Sequence, residues 1–136
     1  MTRSLRTAVT EGDTGNASVF LILLMPVVMV VFALVWEAGQ MLVAKSELLE
    51  TAHAAARAGA QQVDTSAVLA EGEAVLAPQA AEQAATDHLH RAGVSGRVTV
   101  EGEQVTILAR TAYTPTVLPL GPQGIETEAD AVAVQP

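Results

Sequence analysis

The stretch Thr14–Trp36, TGNASVFLILLMPVVMVVFALVW, decides the fold. No charged side chain falls between Asp13 and Glu37. About 23 residues rising about 1.5 Å each make a rod of roughly 35 Å, which crosses a hydrocarbon core of about 30 Å with a modest tilt. A helix on the surface of a soluble protein keeps a polar face, and none exists here from Val19 to Val35. Trp36 closes the run, where an indole favours the membrane–water boundary. Pro26 removes one backbone hydrogen bond and predicts a local kink. A buried core helix is the competing reading, but a chain with 3% aromatic residues is poorly supplied to wrap one. A cleaved secretory signal would have an apolar region of about 7–15 residues and then a small-residue cleavage site. Here the run is longer, and Glu37-Ala38-Gly39-Gln40-Met41-Leu42 continues it as helix. The stretch reads as a retained membrane anchor, with the lipid bilayer as its first partner.

Working outward, residues 1–13 have no periodicity and carry Arg3 and Arg6, the pattern of a short cytoplasmic leader. Lys45 is the single basic residue close behind the span. This bias predicts an N-terminus inside the cytoplasmic membrane and residues from about 40 onward outside it. Beyond Trp36 the apolar spacing of three and four persists through Met41, Leu42, Leu48, Leu49, Ala52, Ala55, Ala56 and Gly59. One helix from about Ala17 to Gln61 is therefore expected, with 14–36 as the transmembrane part and 37–62 as its outer extension. Ala52, Ala55, Ala56, Gly59 and Ala60 give this extension a smooth small-residue face. Small residues let another backbone approach closely. The chain's own later helix is the expected occupant of that face, ahead of another molecule.

Residues 63–136 form the remaining domain, near the lower size at which a chain buries a self-sufficient core. Tyr113 is its sole aromatic, and the absence of cysteine rules out a disulfide staple or a thiolate. Asp64, Thr65 or Ser66 offers a cap, and 67–76 reads as loop with some helix. Pro78 opens a helix over 78–92 with an apolar stripe of Ala81, Ala84, Ala85, Leu89 and Ala92, and Gly93 stops it. The period then changes to two. Strands are expected over 97–101, 104–113 and 125–134, with a turn at Glu101-Gly102-Glu103 and a Pro/Gly-rich loop over 115–124. The fold class is α+β: a long anchor helix with a pilin-like extension, then one helix on a three-stranded antiparallel sheet.

Chemistry is hard to find in this chain. A net charge of −8 argues against nucleic acid or anionic lipid as a partner of the soluble part. His88 and His90 are two apart on a helix and point different ways, and His53 reads as solvent-facing. Gly93-Val94-Ser95-Gly96 lacks the spacing of a nucleophile elbow and joins a helix to a strand, the reverse of what that motif needs. Glu126, Glu128 and Asp130 alternate along one strand toward water. No catalytic, metal-binding, cofactor-binding or small-molecule site is expected, and an enzyme is disfavoured.

Certain pieces recur in a telling order: Gly15-Asn16-Ala17-Ser18-Val19, Leu24-Met25-Pro26, Glu37-Ala38-Gly39, and Ala54-Ala55-Ala56-Arg57-Ala58-Gly59-Ala60. Together they resemble the TadE/TadG-like proteins of Tad (Flp) pilus systems, the short actinobacterial type in particular. The resemblance is good over about 12–62 and looser over 78–134. It makes Gly15, Pro26, Glu37 and Gly39 the family-motif positions. It implies an inner-membrane pilus-assembly component or minor pseudopilin, akin in shape to type IV pilins, that works with other pilus-assembly membrane proteins or TadE/TadG-like subunits. A membrane-tethered binding or scaffold module unrelated to pili is the alternative, and gene neighbourhood separates the two.

The resemblance also exposes a departure. Type IV pilins and many TadE-like pseudopilins are cut after a Gly and carry Glu as the fifth mature residue. That Glu is thought to pair with a neighbour's free amino terminus in the apolar filament core. Five residues after Gly15 stands Phe20, and it cannot offset a buried ammonium, which costs several kcal/mol. The expectation is that residues 1–15 are kept and the protein acts from the membrane as an assembly factor. Intact-mass analysis of the membrane-extracted protein checks this, and a main species beginning at Asn16 would contradict it.

Overall fold

The computed structural model describes residues 14–64, 69–70 and 75–133. The leader 1–13, the cap candidates Thr65 and Ser66, most of the ambiguous stretch 67–76 and the end of the last strand at 134 lie outside them. The described elements are helix α1 (Thr14–Ala60), helix α2 (Pro78–Arg91) and strands β1 (Ser95–Glu101), β2 (Gln104–Tyr113) and β3 (Gln123–Val132). The chain divides into two compact units, residues 1–36 and 37–136, and α1 contributes to both.

In the first unit the described residues are all helical, and Pro26 lies within the helix without ending it. Its side chains from Val19 to Trp36 are exposed almost throughout, Phe20, Ile22 and Phe32 among the most open. A helix this apolar, with its surface uncovered by the protein, is long enough to cross a membrane.

The second unit is built on the antiparallel meander β1-β2-β3. Val98 and Val100 sit opposite Ile107 and Val105, and on the other side Ile107 and Val105 sit opposite Ala129 and Ala131. One face of the sheet thus gathers every second residue, with Val105, Ile107, Ala109, Ile125 and Ala129 buried. Glu126, Glu128 and Asp130 occupy the opposite, exposed phase of β3. β2 has the bounds its pattern suggests, while β1 and β3 begin two residues earlier, because Ser95 and Gln123 still find ladder partners in Arg110 and Tyr113. Pairing, not side-chain pattern, sets a strand's ends. Gly102 carries φ +60 at the first position of the two-residue β1–β2 turn, as a type II′ turn requires.

Helix α2 stops as its glycine predicts. The Gly93 N–H donates to the His90 carbonyl and the Val94 N–H to the Leu89 carbonyl, the two bonds of a Schellman ending. Gly93 takes φ +70 there. Ala92 becomes the cap and is exposed, so the buried stripe of α2 is Ala81, Ala85 and Leu89.

Both helices cover the sheet. Leu48, Ala52, Ala55, Ala56 and Ala60 of α1 share one apolar cluster with the α2 stripe and the inner face of the sheet. A Cβ on Gly59 would lie 3.0 Å from the Ala81 carbonyl oxygen and 3.1 Å from Val105 Cγ1. At that glycine α1 comes close against both α2 and β2. After α1 the chain leaves and returns: Val63 bridges Leu76, and the Asp64 N–H donates to the Val75 carbonyl. Leu76 is thereby drawn into the core.

A core of this tightness has no room for branched bulk on α1. Ala56→Leu should cost about 1–3 kcal/mol by overpacking, whereas Glu50→Ala on the exposed side should stay within about 0.5 kcal/mol. Thermal unfolding of the two full-length variants in detergent measures the difference, and equal midpoints would contradict the packing described.

Candidate functional site

The buried stripe of α1 does not begin with an apolar residue. Counting back from Ala52 through Leu48 and Ala44, the same face reaches Glu37 seven residues before Ala44. Glu37 is 7% exposed and is the buried charged side chain among the described residues. A carboxylate so placed must be given hydrogen bonds by the fold.

Three donors converge on it. The Tyr113 hydroxyl donates to Oε1 at 2.6 Å, the Thr116 N–H to the same oxygen at 3.1 Å, and the Val117 N–H to Oε2 at 2.9 Å. Tyr113 is presented by the last residue of β2, in the phase of Val105, Ile107 and Ala109. The two backbone donors follow on the β2–β3 loop, where Pro115 and Pro119 keep the chain from continuing as strand. Successive N–H groups aimed at one anion form a small concave nest. Among the described residues no buried side-chain nitrogen or oxygen lacks a partner, so the carboxylate is fully provided for.

The hydrogen bonds set the electrostatics. The Tyr113 hydroxyl, then the Val117 N–H, hold the Glu37 carboxyl below its ordinary value of 4.5; burial opposes them and is outweighed. The bond to Glu37, then burial and the nearby negative charge, push the Tyr113 hydroxyl above its ordinary 10.0. At neutral pH the pair is therefore an ionised acceptor held by a neutral donor. This is a latch between a helix and a loop, with no general acid or base poised for reaction.

The remaining sequence-derived positions are scattered. Ala52, Ala55 and Ala56 are fully buried, Gly59 and Ala60 are buried beside them, and all five face the protein's own core. Gly15 and Gly39 have nothing within 4 Å of where a Cβ would stand, and Pro26 lies in the exposed apolar run. His53 and His88 are half-buried and His90 is exposed, and among the described residues no group of three His, Asp or Glu is arranged to hold a metal ion. In the Gly93–Gly96 stretch Gly96 is pressed against the Leu108 carbonyl and Leu89, a packing role in a helix-to-strand turn. The partners of Glu37 escaped the sequence. Two signals pointed at them: Glu37 in register with an apolar stripe, and a lone Tyr in the inward phase of its strand.

The latch contributes to stability only while Glu37 is ionised and Tyr113 protonated. Because the folded Glu37 value is lowered, its contribution is complete above pH 4.5 and is lost as pH falls through the folded value. Because the folded Tyr113 value is raised, its contribution is complete below pH 10.0 and is lost as pH rises through the folded value. Urea midpoints measured against pH should fall at both ends. Glu37→Gln should flatten the acid limb and Tyr113→Phe the alkaline limb; limbs indistinguishable from those of the unsubstituted chain would contradict the assignment.

Comparison with known proteins adds one finding. No curated protein and no solved structure matches the chain. Residues 15–62, which include Glu37 and the whole small-residue face, match the family model described as putative Flp pilus-assembly TadE/G-like. Over that stretch the chain is similar to TadE/G-like proteins.

Proposed function

We propose that this chain is a single-pass component of the cytoplasmic membrane that assists assembly of a Flp/Tad-type pilus or a related secretion apparatus. The observation that carries the reading is the TadE/G-like match over residues 15–62. The long apolar stretch of α1 supports a membrane anchor, and the compact unit that follows supplies a small domain for protein contacts. The role is structural: side chains position backbone and surface, and no reaction is invoked. Other pilus-assembly membrane proteins or further TadE/G-like subunits are the partners this role requires. The part played is that of a minor, pseudopilin-like factor. A bulk filament subunit would need an acidic residue where Phe20 stands.

Arg3 and Arg6 before the span, against Lys45 alone behind it, put the N-terminus inside and the small domain outside the cytoplasm. A cytoplasm-specific reporter fused after Pro136 should be silent and an export-specific one active; the opposite result overturns the orientation. Deletion of the gene should abolish surface pili by electron microscopy, with rescue by the full chain and none by a chain lacking residues 15–36. Pili of normal number after deletion would leave a membrane-tethered scaffold unrelated to pili.

A further inference from the structure

The β2–β3 loop has a composition unlike the rest of the small domain. Between Arg110 and Glu126 there is no Asp, Glu, Lys, Arg or His. Within this span Val117 is 49% exposed and Leu120 64% exposed, so two apolar side chains project from a charge-free segment. The Thr116 and Val117 N–H groups are bound to the Glu37 carboxylate. Glu37 is covalently the next residue after Trp36, where the apolar run ends. The loop is therefore fastened one residue beyond the candidate membrane span.

Part of its backbone is satisfied without water. Pro115, Pro119 and Pro122 have no N–H to satisfy. The Thr116 and Val117 N–H groups are taken by Glu37, and the Leu120 N–H donates to the Leu118 carbonyl at 2.8 Å. Unmet backbone donors are what keeps ordinary loops out of the membrane boundary. A charge at that depth is costly unless it is paired, and the one carboxylate here is hydrogen-bonded by three donors.

We infer that the 114–122 loop is a second membrane contact, laying Val117 and Leu120 into the bilayer interface while Glu37 holds the loop at the end of the span. The inference rests on the membrane-anchor reading of residues 14–36, and its occupant is lipid, by continuity with that span. The contact would fix the small domain's orientation at the membrane surface, which a single helix leaves free to rotate.

The chain has no cysteine, so single-cysteine variants take one label each. Leu120→Cys, Val28→Cys and Glu101→Cys are nitroxide-labelled and reconstituted as full chains in phosphatidylcholine vesicles. Collision rates with oxygen and with a water-soluble nickel chelate are then read by electron paramagnetic resonance. The expected result is an oxygen-to-nickel ratio at position 120 several-fold above that at 101 and nearer to that at 28. If position 120 matches 101 while 28 stays lipid-like, the loop contact is wrong and the anchor stands. If position 28 is also water-like, both fall. If position 120 is shielded from both reagents, a protein surface such as a second copy covers it, and the lipid assignment is overturned.

Discussion

A carboxylate taken out of water must be compensated, and Glu37 is compensated from residues that are distant in sequence. Its oxygens collect the Tyr113 hydroxyl, 76 residues away, and two N–H groups from the loop beyond. That requirement ties the far end of β2 to α1. The ladder with β3 then continues the constraint, since Tyr113 pairs with Gln123 and Thr111 with Ile125. An unmet carboxylate would be more damaging than a lost apolar contact, because its desolvation would go unanswered. The polar latch adds directional contacts between helix and loop to the non-directional apolar ones.

Those apolar contacts are close but individually modest. The largest fully buried side chains are Leu76, Ile107 and Val105, and most of the rest of the core is alanine. A buried Val or Ile contributes about 1.5–3 kcal/mol, and an alanine methyl considerably less. What alanine provides is distance: backbones approach until a Cβ at Gly59 would fit only if its neighbours gave way, and at Gly96 it would meet the Leu108 carbonyl and Leu89 at 2.9 Å. Dispersion summed over such close surfaces stands in for bulk. A core made this way depends on both covers, α1 as much as α2.

Much of this was legible because it is local. Spacings of three and four marked both helices, alternation marked the three strands, and Gly93 and Gly102 marked a helix end and a hairpin turn through the positive φ each adopts. What is set across the chain was less legible. The strand starts at Ser95 and Gln123 depend on partners in β2 and carry no apolar signal of their own. Glu37 stood out as a family-motif position after the span but without a partner, because nothing within a few residues of it reveals Tyr113 or the loop. Gly15 and Gly39 stand in open space, and the fold supplies no packing reason for either.

The extent of the family match has a physical reading. It covers 15–62, while α1 ends at Ala60 and the Gln61 and Gln62 N–H groups close its last turn on Arg57 and Gly59. The demands on α1 are specific: an uncharged run of spanning length, and a face so small that another backbone can touch Gly59. The demands on its covers are looser. β2 must place medium-sized apolar residues opposite that face, and α2 must bring a small stripe, but volume-conserving exchanges at such positions are tolerated. Even the latch asks little of the loop, since two of its three donors are backbone N–H groups that most residue types supply. Residue identity is therefore constrained more tightly along α1 than where geometry alone is required.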